Sequence, residues 1–181
     1  MRILPTPLHQ CFLIEPTIHS DTRGYFFESF SKQTFAQLSG LNVDFVQDNQ
    51  ALSHYGTLRG LHFQQGVHAQ AKLVRVISGS VLDVVVDLRP TSPTFLQHYS
   101  VVLNATNQLQ LFVPRGFAHG YSVLADHTLF FYKCDNYYHK ASEGGLYYAD
   151  PQLAIDWQLP PHSIQLSEKD QTQPLLSELL K

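Results

Sequence analysis

The 181-residue sequence predicts an all-β fold: a jelly-roll β-sandwich or barrel with a few short helices and a helical C-terminal segment. Three observations carry this. Short segments of alternating apolar and polar residues recur along the chain, turn signals separate them, and the long helical crossovers that a βαβ fold needs are missing. Taken in order, Ser31 can cap a short helix over Lys32 to Leu38, with Gly40 just past its end. Lys72 to Gly79 and Ser80 to Leu88 read as strands joined at Ser78-Gly79-Ser80. In the second, Leu82, Val84, Val86 and Leu88 alternate with Val81, Asp83, Val85 and Asp87. Leu109, Leu111 and Val113 alternate up to Pro114, and Thr128 to Lys133 alternates again. Turns are marked by Arg89-Pro90-Thr91-Ser92-Pro93, Pro114-Arg115-Gly116 and Gly144-Gly145. Ser167 can cap a turn at Glu168 to Gln171, and Leu175 to Leu180 reads as a last short helix after Pro174.

Composition narrows the function. Twelve Lys and Arg against 15 Asp and Glu give a net charge of −3, which lacks the basic field that bulk nucleic-acid binding needs. The 44% hydrophobic content argues for a packed core and against disorder. No apolar run exceeds four residues, so no membrane span is expected. The start, Met1-Arg2-Ile3-Leu4-Pro5, lacks a signal-peptide core. Cys11 and Cys134 are too few for a disulfide framework or a zinc cluster, which favours a reduced, cytoplasmic setting. Ten histidines, nine tyrosines and 12 phenylalanines make the chain rich in groups that titrate, stack or bind metal. One domain spanning residues 1–181 is expected.

His62, Lys72, His119 and Tyr132 lie on four separate strand-like pieces, and a rolled sheet can gather such residues around one cavity. Lys72 shares its face with Val74 and Val76, and Tyr132 shares its face with Phe130 and Thr128. A lysine on an apolar face needs a partner or a task, unless it snorkels out at the strand end. His62, His68 and His119 could form a three-histidine metal site. Metal-binding jelly rolls, however, usually carry a His-x-His pair followed by Glu, whereas position 64 is Gln64 and Gln65 to Lys72 contains no acid. Without metal, His, Lys and Tyr suit proton abstraction beside a carbonyl. The imidazole is the base, the ammonium faces the enolate oxygen, and the phenol is an acid on the opposite face. That chemistry needs no cofactor. A non-enzymatic jelly roll that binds a sugar is the remaining alternative.

Several segments, in this order, resemble the dTDP-4-dehydrorhamnose 3,5-epimerase family. They are Asp21-Thr22-Arg23-Gly24-Tyr25-Phe26-Phe27-Glu28-Ser29-Phe30, Phe45-Val46-Gln47-Asp48-Asn49, Leu58-Arg59-Gly60-Leu61-His62-Phe63-Gln64, Lys72-Leu73-Val74-Arg75-Val76, Asp83-Val84-Val85-Val86-Asp87-Leu88-Arg89, Ser92-Pro93-Thr94-Phe95, Pro114-Arg115-Gly116-Phe117-Ala118-His119-Gly120 and Leu166-Ser167-Glu168-Lys169-Asp170. The resemblance runs from about residue 14 to 170 and leaves 171–181 as a C-terminal extension. It implies a cupin-type jelly roll acting on dTDP-4-dehydro-6-deoxy-D-glucose with no cofactor and no metal. His62 matches the base, Asp170 its carboxylate partner, Tyr132 the proton donor and Lys72 the enolate-stabilising cation. Arg59 and His119 match contacts to the sugar and diphosphate. Arg23, Phe26, Glu28, Gln47 and Asn49 match nucleotide-sugar contacts, and Tyr138, Glu143 and Lys169 match further positions lining the site. The resemblance also implies a homodimer whose N-terminal stretch reaches the neighbouring site, in the pathway to dTDP-L-rhamnose. Single-centre epimerases and keto-isomerases of other dTDP-sugars share much of this residue set.

Overall fold

A computed structural model describes residues 1–181. Its strands are β1 (Arg2–Pro5), β2 (Phe12–Glu15), β3 (His19–Asp21), β4 (Gly24–Phe26), β5 (Gln47–Ser53), β6 (Leu58–Gln64), β7 (Lys72–Ser78), β8 (Ser80–Asp87), β9 (His98–Asn104), β10 (Gln110–Val113), β11 (Phe117–Val123), β12 (Thr128–Cys134) and β13 (Glu143–Gly145). Three short helices accompany them: α1 (Lys32–Ser39), α2 (Glu168–Gln171) and α3 (Leu176–Leu179). Two antiparallel sheets face each other as a jelly roll. One runs β1-β2-β10-β7-β12-β5 and the other β13-β6-β11-β8-β9, while β3 and β4 form a separate hairpin. No helix is long and apolar enough to cross a membrane.

The consecutive strands β7 and β8 do not pair with each other. Each lies inside a different sheet, β7 between β10 and β12, β8 between β11 and β9. Gly79 is the pivot. Its φ of +85° is one a side chain rarely adopts, and a Cβ there would lie 2.2 Å from Thr128 Oγ1. The near-continuous apolar run of β8 follows from burial on both faces. Val81 and Val85 point into the space between the sheets, with Val74, Val76, Val123 and Phe130. Leu82, Val84 and Val86 point outward, where Leu146, Leu153, Trp157 and Leu176 of the C-terminal third cover them. Each such side chain contributes about 1.5–3 kcal/mol when fully buried. The C-terminal segment is therefore part of the second sheet's packing, and this packing brings Asp170 to the cavity mouth.

The large sheet is covered on its outer side by α1, whose Phe35 packs against Phe12, Ile14, Leu73 and Phe112. Ser31 caps this helix by accepting a hydrogen bond from Thr34 N–H at 3.2 Å, and Gly40 closes it in the left-handed region. Asp87, at the end of β8, gathers the turn that follows. Its carboxylate accepts from Arg89, Ser92 and Thr94. Burial alone would raise its pKa, but these donors outweigh it and hold the carboxyl at about 2.

Candidate active site

Between the sheets opens a cavity of about 490 Å³. Its walls come from β5 (Ala51), β6 (Arg59, His62), β7 (Lys72), β11 (His119, Tyr121) and β12 (Phe130, Tyr132), and α2 with its approach supplies Ser167 and Asp170. The four residues expected around one cavity line it, His62 and His119 from one sheet and Lys72 and Tyr132 from the other. A second chamber of about 160 Å³ shares His62, Lys72 and Tyr132 with the first and adds Gln47, Asn49, Tyr138 and Glu143. The two are thus parts of one site, with the acid-base groups at their junction. Glycines set the spacing of β6 and β11. Gly60 has a φ of +119°, and its Cβ would lie 2.6 Å from Gly120 Cα, so the backbones that carry Arg59 and His119 approach closely.

His62 Nε2 lies 2.5 Å from Asp170 Oδ1. With Nε2–H donating to the carboxylate, Nδ1 carries the lone pair and is the basic nitrogen. Asp170 is itself held. Ser167 donates to its Oδ2 at 2.8 Å and accepts from its backbone N–H at 3.1 Å as the cap of α2. Burial pushes the Asp170 carboxyl up, but the hydrogen bonds from His62 and Ser167 and the nearby charge of Lys169 outweigh this and keep it below the ordinary carboxylate range. It therefore stays charged and orients the imidazole.

Lys72 sits deep in the site, with its Nζ 5.9 Å from the centroid of the Tyr132 ring. It does not snorkel. Burial lowers its pKa, and the neighbouring Cys134, Asp83 and Glu143 pull the other way. No carboxylate forms an ion pair with it, which leaves the ammonium free for an incoming anion. Tyr132 is pushed up to about 12, chiefly by burial, so it is protonated at neutral pH and available as a donor. Arg59 is braced by Ser53 Oγ, which accepts from its Nε and Nη2 at 3.3 and 3.2 Å. A braced guanidinium in the cavity wall suits a diphosphate.

Of the remaining expected residues, Gln47 and Asn49 line the second chamber, where Gln47 Nε2 donates to Asn49 Oδ1. Tyr138 donates to Glu143 Oε2 at 2.9 Å, and Lys169 pairs with Glu143 Oε1 at 2.5 Å, so these three act as one cluster at the rim. Arg23, Phe26 and Glu28 are not brought to the cavity of this chain. Arg23 and Phe26 lie on the exposed β3–β4 hairpin, where Arg23 pairs with Asp21, and Glu28 accepts from Thr34. His68 stacks on His139 with ring centroids 3.9 Å apart, and Nε2 of His62 and of His119 each face a carboxylate, so the three histidines do not converge. Tyr137 and Tyr138 lie in a loop and are exposed, and Tyr147 and Tyr148 follow β13 as loop residues.

Two residues escaped the sequence reading as site members. Asp83, fully buried in β8, accepts from His119 Nε2 at 3.0 Å and forms a second histidine-carboxylate pair. Its signal was an acid inside an otherwise apolar strand, where a charge needs a partner. Ser167 was legible only as a helix cap.

Comparison with known proteins points one way. The profile of the family described as dTDP-4-dehydrorhamnose 3,5-epimerase matches residues 5–178, wider than the motifs suggest. The Salmonella typhimurium dTDP-4-dehydrorhamnose 3,5-epimerase is 46% identical over 183 residues, covering 99% of this chain and 98% of the relative. The crystal structure of the enzyme of that name from Elizabethkingia anophelis superposes with a TM-score of 0.95 at 52% identity, covering 98% and 97% of the two chains. A Legionella pneumophila dTDP-6-deoxy-D-glucose-3,5-epimerase, solved with dTDP-4-keto-L-rhamnose, superposes with a TM-score of 0.93 at 47% identity, covering 97% and 93%.

Proposed function

The chain belongs to the dTDP-4-dehydrorhamnose 3,5-epimerase family, and from that premise we infer how its own residues carry out the reaction. It is an isomerase of dTDP-L-rhamnose biosynthesis that converts dTDP-4-dehydro-6-deoxy-D-glucose to dTDP-4-dehydro-L-rhamnose. One observation carries the mechanism: the His62–Asp170 pair, Lys72 and Tyr132 meet at the junction of the two chambers. The C4 ketone acidifies the hydrogens at C3 and C5. Nδ1 of His62 removes one of them, and the electron pair moves onto the C4 oxygen, where the Lys72 ammonium meets it. Tyr132 returns a proton from the opposite face and inverts the centre. Solvent then takes the proton from His62 and restores that of Tyr132, and the cycle repeats at the second carbon.

Arg59 and His119 hold the sugar and diphosphate. Gln47, Asn49, Tyr138, Glu143 and Lys169 line the nucleotide end, with Tyr138 placed to stack on thymine. Arg23, Phe26 and Glu28 complete the site from a second copy of the chain. Two features support a homodimer. The hairpin that carries Arg23 leaves Phe26 71% exposed and Tyr25 59% exposed. On the outer face of the large sheet, buried Nε and Nη1 atoms of Arg75 lack hydrogen-bond partners within the chain. Light scattering should give twice the chain mass of 20.6 kDa, and a monomer at micromolar concentration would sink this part of the reading. The same reading places one domain over residues 1–181 in the cytoplasm, where the free thiols of Cys11 and Cys134 stay reduced.

The deciding experiment follows the 4-keto sugar nucleotide in D2O by NMR. Deuterium should enter at both C3 and C5 with a rhamno-configured product. Exchange and inversion at only one carbon would replace this reading with a single-centre epimerase. In Tyr132→Phe, inversion should slow by about 10²-fold or more while exchange on the abstraction side persists. Equal loss of both would remove Tyr132 from the donor role.

A further inference from the structure

Far from the acid-base groups, His54, Asp126 and His127 form a cluster that the epimerase chemistry does not use. We propose that it is a binding site for one divalent transition-metal ion of the zinc, copper or nickel class. The three residues are brought together by strand register. Ser53 of β5 pairs with Thr128 of β12, so His54 and His127 sit just past the last pair of that ladder, and Asp126 precedes His127 in the β11–β12 turn. His54 Nδ1 lies 3.0 Å from Asp126 Oδ1, and His127 Nδ1 lies 3.3 Å from Asp126 Oδ2. One ligand atom from each residue falls within 4.8 Å of the others. Two ligands of a tetrahedral zinc at about 2.1 Å lie about 3.4 Å apart, so these spacings are already close to a coordination edge.

The donor set is two imidazole nitrogens and one carboxylate, which suits zinc, copper and nickel over magnesium or calcium. The frame is partly set in advance. Asp126 Oδ1 also accepts the backbone N–H of Tyr55 at 3.2 Å, which fixes the carboxylate, and the two imidazole rings stand at 78° with centroids 5.3 Å apart. All three side chains are exposed, so an ion reaches them without opening the fold and keeps water in its remaining positions.

The test is titration of the full chain with Zn²⁺ alone, comparing it with a His54→Gln/His127→Asn double variant. His127 has a φ of +54°, and asparagine tolerates that conformation, so the variant keeps its backbone. Eight of the ten histidines remain in it, which separates this site from adventitious binding elsewhere. The natural chain should take up one tight equivalent. The double variant should lose it, with affinity reduced at least about 10-fold, since even outer-shell partners of a metal are worth about 10–100-fold. Epimerase turnover should be unchanged in both, which reports that the fold is intact. Equal zinc uptake by the two proteins, or no stoichiometric uptake by the natural chain at micromolar zinc, would overturn the proposal.

Discussion

His62→Ala should stop deuterium exchange at C3 and at C5 together and lower turnover by about 10²–10⁴-fold, the range a positioned general base supplies. The argument is geometric. Among the cavity-wall groups, only His62 joins a basic ring nitrogen to a charged carboxylate at the junction of the two chambers, where Lys72 and Tyr132 stand. His119 is a poor substitute because its ring is 6% exposed and its Nε2 is committed to Asp83. The two reacting carbons flank one ketone, so a single base reaches both only if the sugar shifts between steps. Exchange that continues undiminished at either carbon would require a second base and defeat the single-base mechanism. Thermal melting of the variant should stay close to the parent, because His62 is partly exposed to the cavity and its loss leaves Asp170 still bonded to Ser167.

Lys72→Met should cost about 10²–10³-fold in turnover, comparable to removing a preorganised donor from an oxyanion site. The charged form is the working form, and burial lowers its pKa. Activity should therefore decline as pH rises through a value below the ordinary lysine figure of about 10.4. Stability moves the other way. A lysine whose pKa is lower folded than unfolded holds its charge at a cost at neutral pH, and that cost fades as pH rises past the folded value. Methionine removes the charge and fills similar volume, so the melting temperature should hold or rise while catalysis falls. A variant that loses stability and activity in parallel would make Lys72 a structural residue instead.

The individual elements were more legible than their partners. The alternation in β8 and β12 and the cap at Ser31 were read to within a residue or two, because local periodicity and capping chemistry depend on neighbours in sequence. The pairing of strands was not readable, since β7 and β8 join through one glycine yet enter opposite sheets. The site shows the same division. Lys72 and Tyr132 lie on strands whose alternation already sets their faces, whereas Arg59 and His62, three residues apart on β6, reach one cavity only because the backbone departs from alternation at Gly60. Arg23, Phe26 and Glu28 matched motifs equally well, but they sit outside the cavity of this chain, on or just after an exposed hairpin.

Residue types, order and alternation were enough for an all-β roll, a carbonyl-directed acid-base set and the family. They could not show that Asp83 holds His119 or that Ser167 aims Asp170 at His62. They also could not show that His68 turns to His139, or that two stray histidines close on Asp126. Those facts join residues as far as 108 positions apart in sequence. Side chains that distant meet only after burial has chosen which sheet each strand enters and which face the C-terminal segment covers. A hydrogen bond of a few ångströms then follows from packing, on which local sequence carries no constraint.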